Sequence, residues 1–306
     1  MKNIFAFLLV CALPFQISCS KEKSNLKLIK DTIILNEYWN NGVAEINVYE
    51  LSQNRYQDNH PGQLISVFVK EDFLTEKQVK NEYYKNDKST LVLKNIQIRK
   101  FTTGIYDYAL FTSTFTPFDK PNFPKTLKVS ASSQEWCGTI YTQFNLKEED
   151  YETQQFSYFE KEGDTNGVVK NAVLEDEIYN TIRMNPELLP KGKFQLIPAA
   201  NFIQLKHLER KSFLAFAELE KYNGKDFEGE NLYQYKIEIA ELERELIIVF
   251  ENNSPFKIVG WLDSFPSSFD NKIRTTSVRL QNQKLLPYWN LNSLADTKLR
   301  KELGIN

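Results

Sequence analysis

The chain has 306 residues, 42% of them hydrophobic and 25% charged, with 38 basic against 40 acidic side chains. A formal net charge of −2 excludes the basic field that steers nucleic-acid binders to their partners. The 13% aromatic content and the mere 11 glycines exclude a disordered, collagen-like or Gly/Ser-linker protein, because such an aromatic load builds ordered cores.

The N-terminus reads as an export address. Lys2 precedes an apolar run, Ile4 to Leu13, which Pro14 and Phe15-Gln-Ile-Ser-Cys19 follow. A basic start, an apolar stretch of about ten residues and a small residue before the break make a secretory signal. The run is too short for a bilayer core of ~30 Å, which takes about 20 residues. Ser18-Cys19 followed by the hydrophilic Ser20-Lys-Glu-Lys-Ser-Asn25 resembles the bacterial lipoprotein signal, in which the Cys becomes the first mature residue and carries acyl chains. The position three before the Cys is Gln16 rather than the Leu that such signals prefer. Several chains on one Cys anchor stably where a single short chain does not. Ser20 in place of Asp favours the outer membrane, either periplasmic or surface-facing.

This reading makes residues 1–18 the signal, Cys19 the lipidated residue and 19–30 a polar tether. Of the three cysteines, Cys11 leaves with the signal and Cys19 is acylated, so Cys137 has no partner for an internal disulfide.

From residue 31 the pattern is strand-like. Ala44–Leu51 alternates apolar and polar side chains, the mark of a half-buried strand. Asn59-His-Pro-Gly62 reads as a turn into a second strand at 63–69. Strands at 91–98 and 105–115 flank Thr103-Gly104, a Pro-rich loop runs from Pro117 to Pro124, and strands at 127–131, 139–144 and 153–159 continue the meander. The best internal helix is Glu175–Met184, with three acidic residues in its first turn, Arg183 in its last and Pro186 just beyond. The strand pattern resumes near Phe194, with runs at 212–219, 232–239, 245–250, 256–261 and 274–280. Ser293 caps an expected terminal helix over 294–303 that Gly304 closes.

The expected fold is therefore mainly β: an antiparallel meander forming a curved sheet or incomplete barrel, with one internal helix and one C-terminal helix. Residues 31–306 form this β-rich domain. The helix is either a hinge between two halves meeting near 165–192 or a plug in one continuous sheet.

Motifs for chemistry are sparse. Cys137, between strand-like runs in Gln-Glu-Trp-Cys-Gly138, lacks the helix N-terminus or adjacent cation that activates a thiol. His60 and His207 are the only imidazoles. Metal-ligand spacings, phosphate loops and nucleophile elbows do not occur, so no metal or cofactor is expected. Glu175-Asp176-Glu177 and Glu148-Glu149-Asp150 could serve a glycosidase but read more simply as a helix first turn and a solvated loop. Aromatic placement is the feature that stands out. Trp39, Trp136 beside Cys137, and Trp261 sit next to turns or strand ends, and together make a candidate ligand pocket at the mouth of the sheet.

Tyr38-Trp39 with Gly42-Val-Ala-Glu-Ile46, Phe101-Thr-Thr-Gly-Ile-Tyr106, Pro124-Lys-Thr-Leu-Lys-Val129 with Ser133-Gln-Glu-Trp-Cys-Gly138, and Phe156-Ser-Tyr-Phe-Glu-Lys-Glu-Gly-Asp164 resemble an uncharacterised lipoprotein family of Bacteroidetes across most of the mature chain. The resemblance implies an envelope location and a β-rich fold, and no reaction. Some members carry a label borrowed from the septum-formation inhibitor family of nucleotide pyrophosphatases. Those enzymes are cytoplasmic α/β proteins with a Ser-x-x-Arg nucleotide loop, whereas this chain opens with an export signal and its Ser132-Ser-Gln-Glu135 lacks the Arg. The expected function is a cell-envelope lipoprotein, anchored in the membrane, with a non-catalytic binding or structural role toward a lipid, glycan or envelope protein. The alternative is an exported periplasmic or surface hydrolase using Cys137 or a carboxylate pair.

Overall fold

Period-2 alternation dominates the sequence, and strands dominate the fold. The computed structural model describes residues 37–305. The expected signal peptide, Cys19 and the polar tether lie outside the described residues.

The first run of strands is β1 (Ala44–Arg55), β2 (Asp58–Leu74), β3 (Val79–Lys80), β4 (Ser89–Thr103), β5 (Tyr106–Pro117), β6 (Lys128–Glu135), β7 (Gly138–Lys147), β8 (Asp150–Ser157) and β9 (Thr165–Val169). Then come β10 (Val173–Leu174), the internal helix α1 (Glu175–Met184), β11 (Gly192–Ile197) and a second helix, α2 (Ala200–Lys206). The chain closes with β12 (Phe213–Lys221), β13 (Leu232–Ile239), β14 (Arg244–Glu251), β15 (Ile258–Pro266), β16 (Ile273–Leu286) and a terminal helix α3 (Lys298–Leu303).

All sixteen strands belong to one sheet. Its order runs β10 to β16, then β1, β2, β4 and on to β9, with β3 hanging off β2. β16 pairs β1 antiparallel from Ala44↔Leu286 to Ser52↔Ser277, and this pairing joins the runs before and after α1. β9 and β10 end the sheet without pairing to each other, so it stays open although they adjoin in sequence. Every pair is antiparallel except β10–β11. That parallel pair is bridged by α1, the crossover a parallel connection needs.

The sheet curves around α1. From one short helix, Asn180 Nδ2 donates to the Leu93 carbonyl of β4 and to Thr116 Oγ1 of β5, both at 2.9 Å. Arg183 donates to Glu45 of β1, while Glu175 accepts from Arg244 of β14 at 2.7 Å. Strands so distant in the sheet order meet one helix only if the sheet wraps it. The largest hydrophobic core accordingly joins Tyr49, Phe68, Tyr108, Tyr235 and Trp261 from the sheet to Ile178 and Ile182 of α1.

Local expectations met four corrections. Asn59–Gly62 is not a turn: the chain reverses at Tyr56-Gln57, where Tyr56 takes φ +56°, and 59–62 lie within β2. Pro61 is tolerated because β4 begins its pairing with β2 only at Gly62, leaving that end of β2 bonded on one side. Helix α2 carries no helix signal beyond Pro198 and a closing Lys206, and seven residues are too few for a clear period. The first-turn carboxylates Glu175 and Asp176 are buried rather than solvated, because α1 lies inside the sheet and nearly all of its faces meet protein. At the C-terminus, Ser293 is the cap as expected, and it forms a capping box with Asp296, but on a 3-10 turn (Leu294–Thr297) that leads into α3.

Candidate functional site

The chemistry of the fold concentrates where α1 and α2 meet β14 and β15. Arg244 opens β14 on the same parity as Leu246, Ile248 and Phe250, so its side chain enters the core. There it makes two parallel bonds to Glu175, Nη1 to Oε2 and Nη2 to Oε1, each 2.7 Å. Its Nε and Nη2 also reach Asp263 of β15 at 2.7 and 3.0 Å. The guanidinium stacks over the Phe202 ring at 3.7 Å. Burial pulls Arg244 down, but Asp263 and Glu175 outweigh it and hold the group above its ordinary value.

Glu175 and its neighbour Asp176 also hold the start of α2. Glu175 Oε2 accepts the Ala199 N–H at 3.1 Å and Asp176 Oδ2 accepts the Ala200 N–H at 2.9 Å. Burial pushes the Asp176 carboxyl up to about 7, against the Ala200 bond that favours its charged form.

Beside this network lies an inner cavity of about 50 Å³, room for a few waters or one small polar group. Glu175, Asp176, Arg244 and Asp263 form one wall. Arg99 of β4, Arg55 of β1 and Asn201 of α2 are among the others. Arg99 Nη1 donates to Gln53 Oε1 at 2.9 Å. Arg99 keeps some accessible surface yet burial lowers its pKa, which fits a side chain whose free surface faces the cavity. Three polar atoms of lining residues are buried without a partner: Asn54 Oδ1, Arg55 Nε and Asn201 Oδ1. Buried polar atoms are almost always bonded, so three unmet atoms on residues around one cavity stand out.

Outside the cavity is a bowl of about 350 Å³ at the tips of the β1–β2 and β4–β5 hairpins. Tyr56 and Phe269 wall both spaces. The phenols of Tyr56, Tyr106 and Tyr108 are linked: Tyr106 donates to Tyr56 at 2.8 Å, and Tyr56 and Tyr108 share a bond of 2.5 Å. Arg55 sits over the Tyr56 and Tyr108 rings at 4.6 and 5.2 Å.

The four residues expected to share a pocket are not brought together. Trp261, 2% exposed, lines the inner cavity with Tyr49 and Tyr179 each 5.2 Å away, centroid to centroid. Trp39, 3% exposed, lies under the Arg183 guanidinium beside Phe68. Trp136 and Cys137 form the exposed two-residue turn between β6 and β7, with Trp136 6.3 Å from Tyr106. The Glu135 carboxylate beside Cys137 pushes the thiol up, the reverse of nucleophile activation.

Arg99, Arg244, Asp263, Arg55 and Asn201 escaped the sequence reading. A signal existed for four: each is charged and sits on the inward parity of a strand, Arg55 with Tyr49 and Leu51, Arg99 with Leu93 and Phe101, Arg244 with Leu246, Asp263 with Trp261 and Phe265. Among the described residues, no group of three or more His, Cys, Asp or Glu side chains could hold a metal ion, and no helix is long and apolar enough to cross a membrane. Compared with protein-family models and with curated proteins, the chain matches none.

Proposed function

We propose that this chain is a lipid-anchored protein of the outer membrane that binds an envelope ligand without transforming it, holding a small polar part of that ligand in the inner cavity. The observation that carries the reading is the set of partnerless atoms, Asn54 Oδ1, Arg55 Nε and Asn201 Oδ1, among residues lining an already formed cavity. A ligand that satisfied them would lose little to protein rearrangement. The polar walls favour a glycan or peptide group over an acyl chain, which would be set against the charged side chains of Arg55, Arg99 and Asp263.

The anchor reading rests on Lys2, the apolar run and Ser18-Cys19. Cys19→Ala should release the protein from membranes or block its maturation, and unchanged partitioning would refute the anchor. The cavity reading is tested at its mouth. Ser268 is exposed and lines the cavity, so Ser268→Trp should plug the entrance at little cost in stability. If soluble envelope sugars and peptides raise the melting temperature of the parent but not of Ser268→Trp, binding runs through this cavity. Equal shifts in both would refute it.

One observation favours the hydrolase alternative: Asp176, with its carboxyl up near 7, adjoins Glu175 in the cavity wall, as in acid–base pairs. Release of product from an envelope glycan by the parent, lost in Asp176→Asn, would establish that alternative.

A further inference from the structure

The charges around the inner cavity do not balance. Arg244 is matched by Glu175 and Asp263, which leaves that cluster one negative charge in surplus. Against it stand three cations whose hydrogen-bond partners are all neutral. Arg99 donates to Gln53 Oε1, Arg55 to the Leu205 carbonyl and the Tyr108 hydroxyl, and Lys206 to the Pro266 carbonyl. Among the described residues, none of the three has a carboxylate partner, although all three line the cavity. Burial lowers both Arg99 and Lys206, and the charge of Arg55 lowers Lys206 further. Three cations facing one surplus negative charge are only partly neutralised, with Asp263 and Glu175 offsetting part of the burial of Arg99. An anion entering the cavity would relieve the rest.

The space limits which anion. About 50 Å³ admits one planar carboxylate, and Arg99, bonded only through Nη1, has its Nε and Nη2 donors left for a forked pair. A doubly charged group would meet the surplus charge of Glu175 and Asp263. The outer bowl then states what the carboxylate is attached to. It offers the rings of Tyr56, Tyr106 and Phe269 together with polar side chains of Gln57, Asp58 and His60. Aromatic faces flanked by hydrogen-bonding groups suit a pyranose, which presents C–H bonds on its faces and hydroxyls at its edge. Tyr56 and Phe269 line both spaces, so the bowl adjoins the cavity at these two rings.

We infer that the cavity and bowl together recognise an acidic sugar, its carboxylate paired with Arg99 in the inner cavity and its ring on the aromatic rim of Tyr56, Tyr106 and Phe269. This rests on the binding reading above and specifies its ligand class.

The probe is D-glucuronate, compared with D-glucuronamide, D-glucose, acetate and inorganic phosphate by calorimetry on the full chain. Glucuronate should bind at least tenfold tighter than the amide, glucose or acetate, and tighter than phosphate. Arg99→Gln should abolish the preference for acid over amide, whereas Arg99→Lys should keep part of it. Equal binding of acid and amide by the parent would overturn the acidic assignment while leaving the cavity reading intact. Tighter binding of phosphate or acetate would overturn the sugar assignment. No binding by any probe, with Ser268→Trp indistinguishable from the parent, would overturn both.

Discussion

Arg244 grips Glu175 through two N–H···O bonds of 2.7 Å, and so ties the start of the internal helix to a strand 69 residues later in the chain. Asp263 completes the triad from the neighbouring strand. A buried arrangement of this kind adds little over a well-packed apolar one, but removing one member strands the others. Arg244→Ala leaves two buried carboxylates without their cation and should cost about 3–5 kcal/mol in urea unfolding. Arg244→Lys should recover only part, because an ammonium cannot make both bonds to Glu175 and still reach Asp263.

Asp176 makes stability depend on pH in an unusual direction for an acid. Its folded value, about 7, lies above the unfolded value of 3.8, so the folded state holds the proton longer. Stability should therefore fall as pH rises from about 4 through 7, by a few kcal/mol in all. Burial raises Glu177 as well and adds to the same slope. Asp176→Asn keeps an acceptor for the Ala200 N–H and carries no charge. Its melting temperature should exceed that of the parent at pH 8, with the two converging toward pH 4.

The tryptophans separate core from surface. Trp261→Ala removes a ring packed between Tyr49 and Tyr179 and should cost about 3–5 kcal/mol. Trp136→Ala, at a turn residue 70% exposed, should stay within about 0.5 kcal/mol. Urea denaturation of the two variants checks the contrast, and similar losses would place Trp136 in a packed site.

Gly62 is a matter of space rather than of turn geometry. A Cβ there would stand 2.2 Å from the Lys100 carbonyl oxygen and 2.8 Å from Phe101 Cβ. Backbone cannot yield as a flexible side chain does, so Gly62→Ala should push β2 from β4. The expected loss is about 2 kcal/mol or more in thermal or chemical unfolding.

The strands of both meanders and α1 were legible because alternation and a 3.6-residue stripe are local properties of the chain. So was the cap at Ser293, because it directly precedes the residues it caps. The turn at Tyr56-Gln57 was not, because Pro61 and Gly62 look like turn residues until the one-sided pairing of β2 and the tight approach of β4 account for them.

Composition by itself placed the chain among ordered, aromatic-rich proteins, alternation along it made the expected fold mainly β, and its N-terminal pattern supplied the case for an anchor. Only the tertiary structure decided that the two runs of strands join through β16 and β1 into one sheet around α1. It likewise decided that Arg55, Arg99 and Arg244 converge on one cavity while Trp39, Trp136 and Trp261 part company. The reason is physical: an alternating pattern says which side of a strand faces inward, but which inward faces meet depends on strand order, and long-range pairing alone sets that order.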